Sequence, residues 1–450
     1  EKVKPLFRET LGCLIGYEHH IRSKVLSIPK QAKVRRIPMH LQEDVERELE
    51  RLQEQGIIET VEATEWLAPL VFSCKSSGEV RLCVDLRELN RDVIVDHFPI
   101  PPIDEIINSL HGASVFSTLD LASAYYQVEL DQQSRELTAF VTPFGTFQFK
   151  RLPFGLVSAA ACFQRIMMRV LKGAEGVKCY QDDILVFGVD KLEHDLRLQA
   201  VLNRLNQTGL TLKEKKCCFG VHRVDYLGYH IDAEGVTPKK ELVETIIKMV
   251  EPTSKDELAS FLGMVEFYAK FIRNMSGKTV CLRQLLKRGQ EFVWNAACSK
   301  EFNCIKENLT KAPSLKSFKP NAETFLTTDA SVKGLGSILT QKINGEEVLI
   351  ACSSRSLRGA ELNYSTIERE ALAIFWAIKK FRGFLWGIPF VVRSDHKPLQ
   401  NVFKNKGLDS ISSRIRKWIV AIQDFNFVVE YIPGAMNKPA DCLSRLVNQL

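Results

Sequence analysis

The sequence lacks several features that would assign it to a particular class of protein. No apolar run approaches the ~18–20 residues that a helix needs to cross a bilayer, so a membrane location is not expected. The first residues, Glu1 to Lys4, are not followed by the apolar core of a signal peptide. Because the chain does not begin with methionine, we expect it to be a processed or trimmed piece of something longer.

Cysteine is present, but without the spacing of a metal site or a redox motif. Twelve cysteines are scattered along the chain, and no two of them form a CxxC pair. This pattern predicts reduced, mostly buried thiols of an intracellular protein, and it gives no support to a zinc site.

The composition is that of a globular protein with a slight excess of positive charge. Hydrophobic residues make up 45% and charged residues 26% of the 450 positions, and the formal net charge is +7. At roughly 150 residues per domain, this length predicts about three folding units. The basic balance permits a nucleic-acid partner without requiring one, because many unrelated enzymes carry a similar charge.

The first half of the chain combines an arm, a helix and strands. Residues 1–40 show little periodicity and are predicted to form an extended arm on a larger body. A helix is predicted over 41–55, where a glycine ends it. Apolar segments predict a hairpin over 71–84, a strand over 114–121 and a pair of strands over 177–188.

The second half is predicted to be helical at first and then mixed. Residues 240–315 have the pattern of helices, one of which begins with the capping box Ser254 to Glu257. A linker is predicted over 312–321. After it the order is strand, hairpin, helix over about 366–382, strand and helix, which is typical of an α/β domain.

Three aspartates in the middle of the chain are candidates for a metal site. Asp120 lies on a predicted strand, whereas Asp182 and Asp183 fall at a turn between two apolar strands. Nucleotidyl transfer uses divalent metals about 3.5–4 Å apart, and Mg²⁺ favours carboxylate ligands. A polar turn without a catalytic role is the alternative explanation of the Asp182-Asp183 pair.

Six ordered motifs favour the catalytic explanation. They are residues 80–90 (VRLCVDLRELN), 97–101 (HFPIP), 116–121 (FSTLDL), 152–156 (LPFGL), 180–183 (YQDD) and 226–229 (YLGY). In this order and spacing they resemble the reverse transcriptases of gypsy-type (Metaviridae) long-terminal-repeat retrotransposons, and the resemblance runs from about residue 20 to residue 446.

This resemblance implies an α+β right-hand polymerase fold with fingers, palm and thumb, followed by an α/β ribonuclease H-like domain. It implies fingers and palm in residues 1–235, thumb or connecting helices in residues 236–318, and the ribonuclease H domain in residues 319–450.

The resemblance also implies roles within the polymerase site. Asp120 and Asp182 would bind both metal ions, with Asp183 as the third carboxylate and Leu121 as a further ligand. The implied substrate contacts are Lys75 and Arg81 at the triphosphate, Tyr125 against the ribose 2′ hydroxyl, Phe154 and Gly155, Gln181 near the primer end, and Leu227, Gly228 and Tyr229 in a hairpin that grips the primer end. The alternatives are an ordinary core aromatic for Tyr125 and a plain hairpin for residues 227–229.

Four acids near the C-terminus form a second set of candidates: Asp329, Glu370, Asp395 and Asp441. Their order on a strand, a helix, a strand and the start of a last helix resembles ribonuclease H, which implies two-metal hydrolysis of an RNA strand. Ser365 to Glu368 is a capping box, so Glu368 has a structural explanation. Glu370 lies beside a buried stripe, where an acid is costly unless it is paired or bound to metal. A helix N-terminal acid favoured by the macrodipole is its alternative explanation.

The function implied is an RNA- and DNA-templated DNA polymerase that also cleaves the RNA strand of RNA–DNA hybrids. The implied cofactor is Mg²⁺, two ions per active site, with Mn²⁺ as a substitute. The implied partners are an RNA template, a DNA primer, RNA–DNA hybrids and deoxynucleoside triphosphates, with no membrane. The implied location is the cytoplasm, within virus-like particles, or the nucleus, and the sequence leaves the oligomeric state open.

Two other functions compete with this one. The first is a host-captured, catalytically silent protein that binds nucleic acid or another protein, and the second is a DNA-templated repair polymerase. Retention of all seven acids favours the active enzyme over the first. The ribonuclease H-like segment argues against the second.

Overall fold

The computed structural model describes residues 4–8, 10–24, 29–74, 80–110, 112–272, 275, 277–312, 314–316, 318–332, 334–404 and 412–433. The chain divides into two compact units. The first comprises 1–106 and 113–224, and the second 107–112 and 225–450. None of the helices within the described residues is both long and apolar enough to span a membrane. The boundaries at residues 235 and 318 stay predictions.

The strands of the first unit form three sheets. The strands are β1 (Glu18–His19), β2 (Ile58–Thr60), β3 (Ala68–Cys74), β4 (Val80–Val84), β5 (Val115–Asp120), β6 (Glu129–Leu130), β7 (Phe140–Thr142), β8 (Gly145–Phe149), β9 (Val177–Tyr180), β10 (Asp183–Gly188) and β11 (Cys218–Val221). In the order of their hydrogen bonding, the sheets are a five-stranded sheet β2-β8-β7-β3-β4, a four-stranded sheet β11-β5-β10-β9 and the parallel pair β1-β6.

Among the described residues before 225, six α-helices begin: α1 (Gln42–Glu54), α2 (Arg87–Asp92), α3 (Ile103–Asn108), α4 (Gln132–Leu137), α5 (Ala159–Val170) and α6 (Lys191–Gln207). The predicted helix over 41–55 therefore corresponds to α1, which buries Val45, Leu49 and Leu52 on one face. These positions recur at helical spacing, which is why the pattern indicated the helix correctly.

Strand β5 lies inside its sheet and is covered on both faces. Val115 and Phe116 point to opposite faces of the sheet, yet both are buried, as is Ser117. Helix α6 packs on β5 and β10. Its buried His194 lies with Nε2 2.8 Å from Oγ of Ser117. The strand that carries Asp120 is therefore packed on both of its faces.

The arm before α1 is part of the packing of the first unit. Leu6, Leu14 and Ile21 are buried. The main-chain NH of Leu14 donates to the carbonyl oxygen of Gln127 at 2.8 Å. The arm therefore covers apolar surface of the unit, as predicted for an arm on a larger body, although Lys4–Phe7 and Met39–Leu41 form short 3-10 helices.

The remaining strands form two sheets. These strands are β12 (Arg223–Tyr226), β13 (Tyr229–Asp232), β14 (Gly235–Pro238), β15 (Glu323–Ala330), β16 (Gly334–Ile343), β17 (Glu346–Ser356), β18 (Pro389–Ser394) and β19 (Asn426–Tyr431). A three-stranded sheet has the order β12-β13-β14, and a five-stranded sheet has the order β17-β16-β15-β18-β19. In the five-stranded sheet β15 is parallel to β18 and antiparallel to β16.

The helices of the second unit fall into two groups, before and after the five-stranded sheet begins. They are α7 (Lys240–Lys248), α8 (Lys255–Phe267), α9 (Val280–Leu285), α10 (Ala296–Thr310), α11 (Thr366–Lys380), α12 (Arg382–Leu385), α13 (Pro398–Lys404) and α14 (Ser413–Ala421). Helix α11 packs on β15 through a core that includes Ala371, Ile374 and Leu326. The order of strands and helices after residue 320 is the α/β order expected.

One local prediction was met only in part, and another was wrong. The capping box at Ser254 is only half formed, because Glu257 accepts the main-chain NH of Thr253 at 2.8 Å instead of that of Ser254. The ten described cysteines form no disulfide, but only four are buried: Cys162, Cys179, Cys298 and Cys352. Cys218 shows why the expectation of mostly buried thiols failed, since it is exposed on the edge strand β11.

Candidate active sites

The first acid cluster lies where β5 meets β10. The two strands are antiparallel, and their register places Asp183 directly opposite Asp120. Strand β9 pairs with the other side of β10, with Tyr180 opposite Asp183. Gln181 and Asp182 therefore occupy the turn of a two-residue hairpin. Folding thus brings Asp120 opposite Asp183, which is more than sixty positions away in the sequence, and Asp182 lies in the adjoining turn.

The electrostatics of this cluster favour a cation. Burial raises the pKa of Asp183 above its usual value, and the negative charges of Asp182 and Asp120 raise it further. The ammonium of Lys216 lies 3.0 Å from Oδ2 of Asp120 and partly offsets this repulsion. Sequence reasoning missed Lys216, because a lysine 96 positions from its partner leaves no local signal.

Tyr125 lies beside this cluster and is also part of the core packing. Its ring centroid is 5.0 Å from that of Phe154 and 5.5 Å from that of Phe163. Burial raises the pKa of the Tyr125 hydroxyl, and the nearby Asp182 raises it further. The two explanations offered for Tyr125, a core aromatic and a site residue, are therefore compatible in this position.

Gly155 shapes the backbone next to Phe154. Its φ of +88° is a left-handed conformation that glycine adopts without steric cost. Its carbonyl oxygen accepts the side-chain amide of Asn90 at 2.8 Å. Asn90 belongs to the VRLCVDLRELN motif, so this bond joins two of the six motifs. The backbone of Arg81 pairs with Ser73 between β4 and β3, whereas Lys75 lies outside the described residues.

Leu227 and Gly228 form the turn between β12 and β13, and Tyr229 is the first residue of β13. Leu227 and Gly228 both have positive φ, of +47° and +82°. The ring of Tyr229 is buried and stacks on Phe267 at a centroid distance of 5.0 Å. Tyr229 is thus a packing residue of the second unit, and the turn itself presents Leu227 and Gly228.

The second acid cluster is built by two parallel strands and a helix. Asp329 lies at the end of β15, Asp395 directly follows β18, and Glu370 projects from α11. Each side chain offers one carboxylate oxygen, and these oxygens all lie within 4.8 Å of one another. Asp329 and Glu370 are 3% and 5% exposed. Three acids this close and this buried require a counter-charge or protonation.

The carboxyl group of Glu370 is affected both by its burial and by its acidic neighbours. Burial raises its pKa to about 9, and the charges of Asp329 and Asp395 contribute. Its Oε1 accepts the main-chain NH of Ala330 at 3.3 Å. Its Oε2 is buried and has no hydrogen-bond partner among the residues that the structure describes. A buried oxygen of this kind fits a metal ligand, because polar atoms in protein interiors are otherwise almost always bonded.

The neighbouring Glu368 has the separate role that was predicted. It completes the capping box with Ser365, whose hydroxyl and main-chain NH lie 3.0 and 3.1 Å from Oε2 of Glu368. Its other oxygen accepts from Arg414 at 3.2 Å. Asp441 lies outside the described residues.

Two parts of the chain match known families. Residues 74–231 match the family described as reverse transcriptase (RNA-dependent DNA polymerase). Residues 294–392 match the RNase H-like domain found in reverse transcriptase. The chain therefore contains the polymerase and ribonuclease H-like domains of a reverse transcriptase.

Its homologues are Pol polyproteins of long-terminal-repeat retrotransposons, as the resemblance implied. It is 34% identical over 427 residues to the Retrovirus-related Pol polyprotein from transposon 412 of Drosophila melanogaster, covering 93% of this chain and 34% of that protein. It is 33% identical over 386 residues to the Transposon Tf2-3 polyprotein of Schizosaccharomyces pombe, covering 85% of this chain and 29% of that protein. The chain thus spans about a third of the length of these curated relatives.

Solved structures share the fold. The foamy viral protease-reverse transcriptase in complex with dsDNA has a TM-score of 0.85 at 23% identity, covering 96% of this chain and 91% of that one. The same enzyme in complex with RNA/DNA hybrid has a TM-score of 0.80 at 22% identity, covering 96% of this chain and 59% of that one. The predicted fold class, a polymerase fold followed by a ribonuclease H-like domain, is confirmed.

Proposed function

We propose that this chain copies retrotransposon RNA into DNA, as an RNA- and DNA-templated DNA polymerase that also cleaves the RNA strand of RNA–DNA hybrids. The observation that carries the proposal is a group of carboxylates in each of two parts of the chain, one within the matched residues 74–231 and one within and just after the matched residues 294–392. In the first, Asp183 lies opposite Asp120 across two strands. In the second, oxygens of Asp329, Glu370 and Asp395 lie within 4.8 Å of one another. A gypsy-type origin is consistent with the relatives.

Divalent cations would be held by these acids. The proposed ligands are Asp120, Leu121, Asp182 and Asp183 in the first site, and Asp329, Glu370, Asp395 and Asp441 in the second. Bound Mg²⁺, two ions per site, or Mn²⁺ in its place, would lower the pKa of the attacking hydroxyl or water and neutralise charge at the leaving oxygen. The elevated pKa of Glu370 supports the fit, since a cation would take the place of a proton there.

Other residues are proposed to contact the substrates of polymerisation. Arg81 and Lys75 would pair with the triphosphate, and the half-buried ring of Tyr125, held against Phe154, would meet the ribose. Gly155 would line the same pocket. Gln181 and the turn of Leu227 and Gly228 would contact the primer end, with Tyr229 anchoring that turn from inside its core.

The proposed substrates are an RNA template, a DNA primer, an RNA–DNA hybrid and deoxynucleoside triphosphates. The complexes of the foamy viral enzyme with dsDNA and with RNA/DNA hybrid support this choice by analogy of fold. The cytoplasm, within virus-like particles, is the proposed location, with the nucleus as the alternative.

A pair of matched substitutions tests the proposal. On a primed RNA template with Mg²⁺, the unaltered chain is expected to give full-length DNA and to cleave the hybrid. Asp182→Asn should abolish synthesis and leave hybrid cleavage, and Asp329→Asn should do the reverse. Both replace a carboxylate by an amide of nearly the same size, so each variant serves as the folding control of the other. If both variants keep both activities, the assignment of the two sites is wrong.

A catalytically silent descendant remains the competing function. It would bind the primed template and the hybrid but give neither product in the same assay. The two outcomes are therefore separated by the unaltered chain alone.

A further inference from the structure

The turn that carries Asp182 rests on a buried glutamine that no sequence motif singled out. Gln164 lies on α5 and its side chain is completely buried. Its Oε1 accepts the main-chain NH of Gln181 at 2.6 Å. Its Nε2 donates to the carbonyl oxygen of Cys179 at 3.1 Å. The carboxamide therefore bonds the backbone on both sides of Tyr180, as a neighbouring strand would.

The residue held in this way has an unfavourable backbone conformation. Gln181 has a φ of +56°, in the left-handed region that side chains with a Cβ rarely adopt. Its carbonyl oxygen accepts the thiol of Cys179 at 3.1 Å. Both main-chain polar groups of Gln181 are thus bonded to side chains, one from α5 and one from β9.

The position of Asp182 depends on this arrangement. Strand β10 begins at Asp183, whose backbone is fixed by pairing with Asp120 and Tyr180. Asp182 precedes the strand and is exposed. Its placement is therefore set by the peptide of Gln181 before it.

We propose that Gln164 is a positioning residue of the polymerase site: it holds Gln181 in the left-handed conformation and thereby keeps Asp182 in place to bind metal. This inference rests on the proposed function. Loss of the Gln164 carboxamide should therefore lower polymerisation and metal binding through the backbone conformation of Gln181, and not only through lost packing.

The test replaces Gln164 by methionine in the full chain, since methionine has a similar size but no amide. The loss of two buried hydrogen bonds should lower the polymerisation kcat by about 10- to 100-fold. It should also weaken Mn²⁺ binding at the first site, measured by calorimetric titration of a chain whose second site carries Asp329→Asn. Hybrid cleavage, measured with Asp329 intact, should be unchanged and shows that the chain is folded.

The matched control is Gln148→Met. Gln148 is also buried in the first unit, but its amide donates to Glu59 at 2.8 Å, away from the hairpin. We expect this variant to keep its polymerisation kcat and its Mn²⁺ affinity. Equal losses in Gln148→Met and Gln164→Met would overturn the inference.

A second substitution separates positioning from packing. Glycine adopts positive φ readily, so adding Gln181→Gly to Gln164→Met should restore a large part of the lost Mn²⁺ affinity. Since Gln181 is itself a proposed primer contact, kcat is compared with that of Gln181→Gly alone, which the double variant should nearly reach. A double variant that stays far below this reference in either quantity would overturn the inference. If Gln164→Met does not fold, Gln164→Asn, which is too short to reach both partners, takes its place under the same criteria. An unaltered chain that binds primed template but makes no DNA would instead overturn the proposed function.

Discussion

The buried carboxyl group of Glu370 predicts how the stability of the metal-free chain changes with pH. Burial, with the charges of Asp329 and Asp395, raises its pKa in the folded state to about 9, against an ordinary value of 4.5. A carboxyl group whose pKa is raised by folding stabilises the fold fully below its unfolded pKa. That stability is lost as the pH rises toward the folded pKa. The metal-free second unit should therefore lose stability between pH 4.5 and pH 9.

The size of this loss of stability follows from the difference between the unfolded and the folded pKa of Glu370. Each pH unit in this window costs about 1.4 kcal/mol, so about 3 kcal/mol is lost between pH 4.5 and pH 7. Glu370→Gln removes the titrating group and keeps an oxygen for the main-chain NH of Ala330. Without metal, this variant should therefore be more stable than the unaltered chain by up to about 3 kcal/mol at pH 7 and about 1 kcal/mol at pH 5.5.

Hydrogen exchange in the full chain measures this difference where it arises. Amides of α11 and β15 report on the second unit, and comparing the two proteins at the same pH cancels the intrinsic exchange rates. In EDTA the Glu370→Gln variant should be the better protected, by a margin that grows with pH. In saturating Mg²⁺ the order should reverse, because only the unaltered chain has the full set of ligands. Equal protection at pH 5.5 and pH 8 in EDTA would refute the reasoning.

Two further predictions concern single contacts. Lys216→Ala should strengthen Mn²⁺ binding at the first site by up to about fivefold, because the lysine competes for Asp120 across an exposed ion pair worth about 1 kcal/mol at most. Calorimetric titration checks this, with Lys215→Ala as the control, and weaker binding would contradict it. Ser365→Ala should destabilise the first turn of α11 by about 1 kcal/mol, since its capping box with Glu368 is lost. Ser365→Asp keeps an acceptor for the cap and should preserve hydrogen-exchange protection there; equal fraying of both variants would argue against the cap.

The sequence predicted local structure well where the signal is local. The helix expected over 41–55 is Gln42–Glu54, and the strand expected over 114–121 is Val115–Asp120. Apolar periodicity and capping residues lie within a few positions of the element that they specify. The two sets of acids were found for a different reason, since their order along the chain resembles a known family.

Contacts between distant residues could not be predicted. Gln164 reaches a hairpin 17 positions away, and Lys216 reaches Asp120 across 96 positions. Neither residue type nor spacing reveals such a partner. The half-formed cap at Ser254 failed for a smaller reason, because the preceding Thr253 offers a main-chain NH that Glu257 bonds instead.

The arm of the first unit has a consequence for dividing this protein into parts. The reverse transcriptase match begins at residue 74, but Leu6, Leu14 and Ile21 are buried far upstream of it. A shortened chain that began at the match would leave uncovered the apolar surface that these side chains occupy, and it would leave the carbonyl of Gln127 without its donor. The limits of a conserved domain and the limits of a cooperative folding unit therefore differ here. An expression boundary for the polymerase half belongs upstream of Leu6.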